Sequence, residues 1–231
     1  MKISIIIPVY NEVNTILTVL KKVNSFDEFE KEIIIVDDYS SDGTLELIEK
    51  YQLTNQNIKL IKHSKNLGKG AGLRTGIKAA ENDILIIQDA DLEYDPKDYS
   101  KLIKPIIESN ADVVFGSRFL GGQSVRVHFF WHYLANKLLT LLTNILMNMN
   151  FTDMETGYKV FKKDIIKKIN LKEDGFGIEP EITIKLCKEK AIFYEVPISY
   201  YGRSYKEGKK IKFSDAIKAL ICILKYTFKK N

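Results

Sequence analysis

The sequence is poor in cysteine, with two among 231 residues, and it contains no Cys-x-x-Cys pair. Cys187 and Cys222 lie far apart in the chain, so neither a disulfide framework nor a zinc site is expected. We expect both to be buried thiols of a protein that works in a reducing compartment.

Long apolar runs are also missing. The nearest candidate, residues 129–147, is interrupted by His132, Asn136, Lys137 and Asn144, which makes it a poor membrane-spanning helix. The segment MKISIIIPVYNE has one lysine, a short apolar run and no small-residue cleavage site, so we expect a strand there and not a signal peptide.

The composition is that of one globular domain over residues 1–231. Hydrophobic residues make up 45% and charged residues 28%, and there is neither a Pro/Ser-rich linker nor a repeat. The net charge of +5 is too small to indicate nucleic-acid binding.

Strands and helices alternate through the first half. Apolar, β-branched runs, typical of strands buried on both faces, are separated by segments with helical spacing. The predicted strands are 3–9, 31–38, 58–63, 83–89 and 112–117, and the predicted helices are 12–24 (capped by Asn11), 43–51 and 70–81. This order predicts an α/β fold with a mainly parallel sheet flanked by helices. Farther on, we predict helices over about 129–149, 178–189 and from 213, and a strand over 192–200.

Polar side chains gather where the predicted strands end, and ligands of parallel sheets bind at that edge. QDADLEYDP, after the fourth strand, contains four closely spaced carboxylates that repel one another. If strand geometry continues, Asp89 and Asp91 point the same way, as oxygen ligands of Mg²⁺ or Mn²⁺ would. The alternative is an ordinary solvated turn, because Asp-rich turns are common.

Two other strand ends carry candidates for nucleotide contact. Asp37 and Asp38 end the second strand, where a carboxylate can accept hydrogen bonds from a base or a ribose. For residues 40–42, helix capping is the better explanation. KNLGKGAGLRTG lacks the Gly-Lys-Ser/Thr of a Walker A loop, but its glycines permit close backbone approach to a nucleotide beside Lys69.

In this order and spacing, PVYNE, VDDYSSDGT, NLGKGAG, D-A-D and GSRF resemble the family 2 glycosyltransferases with the GT-A fold. The chain is most similar to members that transfer sugars to dolichyl and other polyprenyl phosphates. The resemblance is specific over residues 3–121 and looser beyond. It implies a nucleotide-sugar-binding half at 1–121, an acceptor-side half at 122–211 and, with C-terminal amphipathic helices, a basic helix at 212–231.

Matching motifs suggest which residues bind the donor, a GDP- or UDP-linked sugar. The predicted donor-binding residues are Pro8, Tyr10, Glu12, Asp37, Lys69, Asp89 and Ala90. The resemblance implies that Mg²⁺ or Mn²⁺ bridges the donor's phosphates on Asp89 and Asp91. Glu93 would be a third ligand, at a position where related enzymes often have Gln.

The resemblance also suggests residues for catalysis and for the acceptor. Asp91, Arg118 and Arg203 are the predicted catalytic residues, with Arg203 closing over the diphosphate and Arg118 near an acceptor phosphate. Asp153 and Gly157 complete the predicted acceptor side, in a D-x-x-[ST]-G-[YF] motif whose frequent arginine is replaced here by lysine.

The implied reaction is metal-dependent, inverting sugar transfer to a polyprenyl phosphate. A phosphate monoester, with a second pKa of about 6, needs little help from a general base. The alternative is a glycan or glycolipid hydroxyl, which needs a base such as Asp91 or Asp153. A sugar-nucleotidyltransferase is more remote, because such enzymes usually have a Gly-rich basic loop where this chain has PVYNE. A non-catalytic membrane-binding module would leave the aligned carboxylates unexplained.

The last predicted helix is basic and amphipathic, and with an aromatic cluster at 129–133 it can lie on an anionic bilayer. Its apolar stripe is Phe213, Ile217, Leu220, Ile221, Leu224 and Phe228, and its lysines are Lys212, Lys218, Lys225, Lys229 and Lys230. The alternative is that the stripe packs on the same domain or on another copy, which is compatible with a homo-oligomer. We expect a peripheral enzyme on the cytoplasmic, inner face of the cell membrane.

Overall fold

The computed structural model describes residues 2–127, 129–204, 207 and 213–229. Lys212, Lys230 and the side chain of Phe213, all assigned above to the last helix, lie outside this part. Of the predicted lysines of that helix, Lys218, Lys225 and Lys229 are described, and all three are exposed.

A seven-stranded sheet forms the centre of the protein. Its strands are β1 (Lys2–Val9), β2 (Glu30–Asp37), β3 (Ile58–Lys62), β4 (Ile84–Ile87), β5 (Val113–Ser117), β6 (Lys159–Lys162) and β7 (Phe193–Pro197). They lie in the order β3-β2-β1-β4-β6-β5-β7. Neighbouring strands are parallel except for β6, which runs antiparallel to both β4 and β5. The predicted α/β class with a mainly parallel sheet is confirmed, and β6 was not predicted as a strand.

The helices are α1 (Ile16–Asn24), α2 (Thr44–Gln52), α3 (Lys69–Ala79), α4 (Tyr99–Glu108), α5 (Phe130–Met147), α6 (Lys163–Ile166), α7 (Ile178–Lys188) and α8 (Phe213–Phe228). Helices pack on both faces of the sheet, whereas α5 and α8 pack on α7 and on each other. The sequence reasoning did not include α4. A 3₁₀ turn at Pro96–Asp98 precedes it.

The predicted helix caps need correction. Helix α1 begins at Ile16 and not at 12, and Asn11 does not cap it, because its φ is 51° and its side chain accepts a hydrogen bond from the Ser41 N–H. Gly43 is the cap residue of α2. Residues 40–42 mainly join the loop after β2 to the loop after β1, because Ser40 and Asp42 accept hydrogen bonds from the N–H groups of Asn11 and Val13. Asp42 also accepts a hydrogen bond from the first N–H of α2, that of Thr44.

The core lies on both faces of the sheet because alternate strand residues point in opposite directions. In β1, Ile3, Ile5 and Ile7 pack with α1 and α4, whereas Ile6 packs with α3 and α7. A third, smaller cluster joins α5, α7 and α8. Both cysteines are free, as expected, but only Cys222 is fully buried. No helix of the described part is long and apolar enough to cross a membrane.

Candidate active site

A cavity of about 590 Å³ opens at the carboxyl ends of β1 and β4, the edge where ligands of parallel sheets bind. It is also lined by the segments after β5 and β7 and by residues of α5, α7 and α8. All the predicted site residues line this cavity except Asp37 and Asp153.

The end of β1 supplies Pro8, Tyr10 and Glu12 to the cavity wall. The Glu12 carboxylate is buried, accepts a hydrogen bond from the Thr15 hydroxyl (2.9 Å) and pairs with the Arg203 guanidinium at 3.2 and 3.3 Å. The PVYNE segment is thereby linked to the loop after β7, which lies almost the whole chain away in sequence.

The two carboxylates at the end of β2 take different positions. Asp38 lines the cavity, but the Leu67 and Gly68 N–H groups and the His63 ring occupy its oxygens. Asp37 is buried behind the wall, with Oδ2 accepting the Ser40 N–H. Its Oδ1 accepts no hydrogen bond from the described residues, so its contact with a base or ribose stays a prediction.

The strand predicted through Asp89 ends earlier, at Ile87. The chain then turns, and Leu92 adopts a left-handed φ of 64°. Asp89 and Asp91 therefore do not share one face of a continuing strand, as predicted, yet both line the same cavity.

Asp89 is held by Lys69 at the start of α3, with 2.8 Å between Nζ and Oδ1. Burial lowers the pKa of Lys69, but the charges of Asp89 and Glu179 raise it above its ordinary value. Gly157 passes directly beside the Asp89 carboxylate: a Cβ there would lie 2.3 Å from Oδ2. Glycine is thus the only residue type at position 157 that leaves the Asp89 carboxylate in this position.

Asp91 lies among carboxylates whose negative charge Arg203 offsets only in part. Its Oδ2 lies 3.0 Å from Arg203 Nη2, but burial, Glu93 and Asp89 raise its pKa to about 7. A divalent cation shared with Asp89 would relieve this repulsion.

Two carboxylates on one wall fit Mg²⁺ or Mn²⁺, since Mg²⁺ usually takes one or two carboxylates, with water and substrate phosphate completing its shell. Within the described residues, no three Asp, Glu, His or Cys side chains form a metal-binding group. Glu93, predicted as a third ligand, instead accepts hydrogen bonds from the Tyr200 hydroxyl and the Arg203 N–H, both at 2.7 Å. Asp89 and Asp91 would hold the ion, and the role of Glu93 as a third ligand stays a prediction.

On the predicted acceptor side, Arg118 and Asp153 form a buried, bidentate ion pair with distances of 2.6 and 2.7 Å. Asp153 also accepts hydrogen bonds from the Arg118 N–H and the Asn136 amide. Burial raises the pKa of Asp153, but Arg118 outweighs it and holds the pKa below its usual value. A carboxylate held in this way is poorly suited to accept a proton.

Two glutamates that sequence reasoning missed, Glu155 and Glu179, also line the cavity. Glu179 accepts a hydrogen bond from the fully buried Lys159 ammonium at 2.5 Å, and its other oxygen lies 3.3 Å from Lys69. A chain of alternating charges therefore runs from Lys159 through Glu179 and Lys69 to Asp89. In the sequence, Glu179 looks like an acidic residue of a helix's first turn, and no local pattern indicates its partners.

An exposed apolar surface adjoins the cavity. Trp131, which lines the cavity mouth, is 75% exposed, and Phe228 on α8 is 74% exposed. The described members of the predicted α8 stripe, Ile217, Leu220, Ile221, Leu224 and Phe228, all face outward, as do Phe129, Phe130, Tyr133, Leu138, Leu141 and Ile145. A different face of α8, with Cys222, Ile223 and Tyr226, packs inward. The alternative that the stripe packs on its own domain is therefore wrong for these residues.

Both the sequence and the fold of this chain match known proteins. Residues 4–170 match the family described as Glycosyl transferase family 2. The dolichol-phosphate mannosyltransferase of Pyrococcus furiosus is 30% identical over 212 residues, which cover 90% of this chain and 59% of that protein. An uncharacterised protein of Methanocaldococcus jannaschii is 30% identical over 221 residues, 89% of this chain and 93% of that protein.

Among solved structures, the glucosyl-3-phosphoglycerate synthase of Mycobacterium tuberculosis, in complex with Mn²⁺, uridine diphosphate and glucosyl-3-phosphoglycerate, is similar with a TM-score of 0.75. The similarity covers 100% of this chain and 81% of that one at 17% identity, so it concerns the fold. It confirms the GT-A fold, and the family match extends from the PVYNE segment through the D-A-D turn to the Asp153 segment. The chain belongs to glycosyl transferase family 2.

Proposed function

We propose that this glycosyltransferase moves a sugar, with inversion at its anomeric carbon, from a nucleotide-diphosphate sugar to a polyprenyl phosphate. The observation that carries the proposal is one cavity lined by the Asp89–Asp91 pair, by Lys69 and Arg203, and by apolar residues of α5 and α8. Such a cavity suits a charged donor next to a lipid-linked acceptor.

The donor half of the proposal rests on charge. Bound by Asp89 and Asp91, Mg²⁺ or Mn²⁺ would stabilise the negative charge that develops on the departing nucleoside diphosphate. Arg203 would exchange its bonds to Glu12 and Asp91 for the donor's phosphates, and Lys69 would keep Asp89 oriented. Pro8, Tyr10, Glu12 and Ala90 would form the wall beside the nucleotide.

The acceptor half rests on Asp153 and on the relative from Pyrococcus furiosus. A hydroxyl acceptor needs a base, but Asp153 is saturated by hydrogen bonds and its pKa is lowered, and Asp91, the other candidate base, is assigned to the metal ion in this proposal. A phosphate monoester is largely ionised at neutral pH without such help. Since this chain spans 59% of that dolichol-phosphate mannosyltransferase, the shared acceptor class is part of our proposal.

We further propose that the exposed faces of α5 and α8 bind the inner face of the cell membrane. Apolar side chains would enter the interface while Lys218, Lys225 and Lys229 face anionic headgroups. In sedimentation with vesicles, Ile221→Ser and Phe228→Ser should reduce binding, and anionic lipid should increase it. Equal recovery of wild type and both variants would remove the membrane assignment.

The reaction is tested by nucleotide release. UDP- and GDP-sugars are supplied with Mg²⁺ or Mn²⁺, with and without a polyprenyl phosphate, and with a chelator as control. Release that requires both the metal and the lipid phosphate supports the proposal. If release depends on the metal but requires a glycolipid hydroxyl, the acceptor class in our proposal is wrong. If the protein binds no nucleotide sugar, the whole proposal is wrong.

A further inference from the structure

Two carboxylate oxygens in the cavity wall are buried without a hydrogen-bond donor. They are Oε1 of Glu155 and Oε1 of Glu179, and none of the described residues donates to either. Glu179 is 3% exposed. Its Oε1 lies 3.3 Å from the Lys69 ammonium, which is an ion-pair contact but not a hydrogen bond. A buried acceptor that receives no hydrogen bond opposes folding, so such oxygens point to a ligand that donates to them.

The backbone on both sides of Glu155 is held rigidly. The carbonyl oxygens of Met154 and Thr156 both accept hydrogen bonds from the Lys159 ammonium, and the Thr156 hydroxyl donates to the Gly116 carbonyl at 2.6 Å. The same ammonium binds Oε2 of Glu179. Lys159 thereby fixes the backbone around Glu155 and the side chain of Glu179 in one wall.

This wall lies next to the proposed diphosphate site. Gly157, two residues after Glu155, touches the Asp89 carboxylate, and Lys69 joins Glu179 to Asp89. In a nucleotide-diphosphate sugar, the sugar is attached directly to the second phosphate. Its hydroxyl groups must therefore lie beside whatever holds the diphosphate.

We propose that Glu155 and Glu179 form the subsite for the donor's sugar, each accepting a hydrogen bond from a sugar hydroxyl. This inference rests on the proposed function and adds the class of sugar. The Glu179 carboxylate, and Glu155 when it is ionised, repel a sugar that carries its own carboxylate, so the subsite selects a neutral sugar over a uronic acid. Burial and the Glu179 charge raise the pKa of Glu155 to about 7, and a carboxyl group that titrates near neutrality can also donate to a hydroxyl.

Titration calorimetry with the full chain and Mn²⁺ tests the subsite by comparing UDP with UDP-glucose and GDP with GDP-mannose. Glu155→Ala should weaken binding of the nucleotide sugar about tenfold, as expected for one charged hydrogen bond, and leave the nucleoside diphosphate unchanged. Glu155→Gln should lose less and should gain affinity for UDP-glucuronate. The control is Glu189→Gln, which removes the same charge from an exposed position directly after α7.

Each other outcome overturns the assignment. Unchanged sugar-nucleotide affinity in Glu155→Ala would remove Glu155 from the subsite and leave the proposed function standing. If Glu155→Ala binds the nucleotide sugar normally but loses turnover, and the ionisation near pH 7 disappears from its pH–rate profile, Glu155 is a general base and not a sugar ligand. If the wild type binds no nucleotide sugar, both the subsite and the proposed function fail. Because Glu179 also neutralises buried Lys159, Glu179→Gln is interpreted only together with its unfolding curve.

Discussion

Replacing Asp153 by Asn tests whether the Arg118–Asp153 pair is structural or catalytic. Asp153 is 0% exposed and the Arg118 side chain 11%, and two short hydrogen bonds join them. Asn keeps the shape but removes the charge, so the Arg118 guanidinium is left buried without its counter-ion. Breaking a buried pair from one side costs about 3–5 kcal/mol. For a chain of this size we expect the melting temperature to fall by about 6–20 °C.

Calorimetric or circular-dichroism melting curves measure this loss. The double variant Arg118→Met/Asp153→Leu, which removes both charges, should regain much of the stability. Glu108→Gln, which breaks the exposed pair with Lys104 at 3.7 Å, is the control and should hardly shift the curve. If Asp153→Asn melts like the wild type but loses activity, our structural interpretation is refuted and a catalytic base at Asp153 becomes the better one.

The pH dependence of stability gives a second check on this pair. Because the folded-state pKa of Asp153 lies below its usual value, the unfolded chain takes up its proton first as the pH falls. The stabilisation is complete above the ordinary carboxyl range and is lost as the pH falls below about 4. The stability difference between wild type and Asp153→Asn should therefore be largest near neutrality and shrink in acid.

Three further predictions concern the proposed metal site. Asp91→Asn should abolish nucleotide release. Its melting temperature should stay the same or rise, because Asn removes the charge repulsion that raises the pKa of Asp91. Release at the wild-type rate would contradict the metal role. Gly157→Ala should reduce release at least a hundredfold, because its Cβ displaces the Asp89 carboxylate, whereas a Cβ in the control Gly175→Ala meets nothing within 4 Å; equal activity of the two would contradict the steric argument. Mn²⁺ affinity, measured by calorimetry, should rise about tenfold per pH unit up to about pH 7 and level off above it, since the ion binds ionised Asp91; a flat profile would remove Asp91 as a ligand.

The fold could be predicted where local sequence carries the signal. The runs ISIIIPV and KEIIIVDD are apolar and β-branched, so β1 and β2 can be assigned without tertiary information. Strand β6 has four residues, KVFK, two of them lysines, so its local sequence does not indicate a strand. It is recognised as a strand by its pairing with β4 and β5, which local sequence does not reveal. Helix α4 contains Pro105, which weakens a helical pattern that its buried residues otherwise show.

The residues of the candidate site could also be predicted only where local sequence carries the signal. Asp89, Asp91 and Lys69 could be predicted because each follows or begins an element whose end defines the ligand edge of the sheet. The state of a carboxylate depends instead on partners that local sequence does not reveal: Asp153 could equally be a base until Arg118, 35 positions away, is seen to hold it. The same reasoning separates Glu155, whose Oε1 has no partner among the described residues, from Asp153, whose oxygens are fully used. Partner geometry, and not residue type, thus decides which acidic residue of the Asp153 segment is available to a substrate.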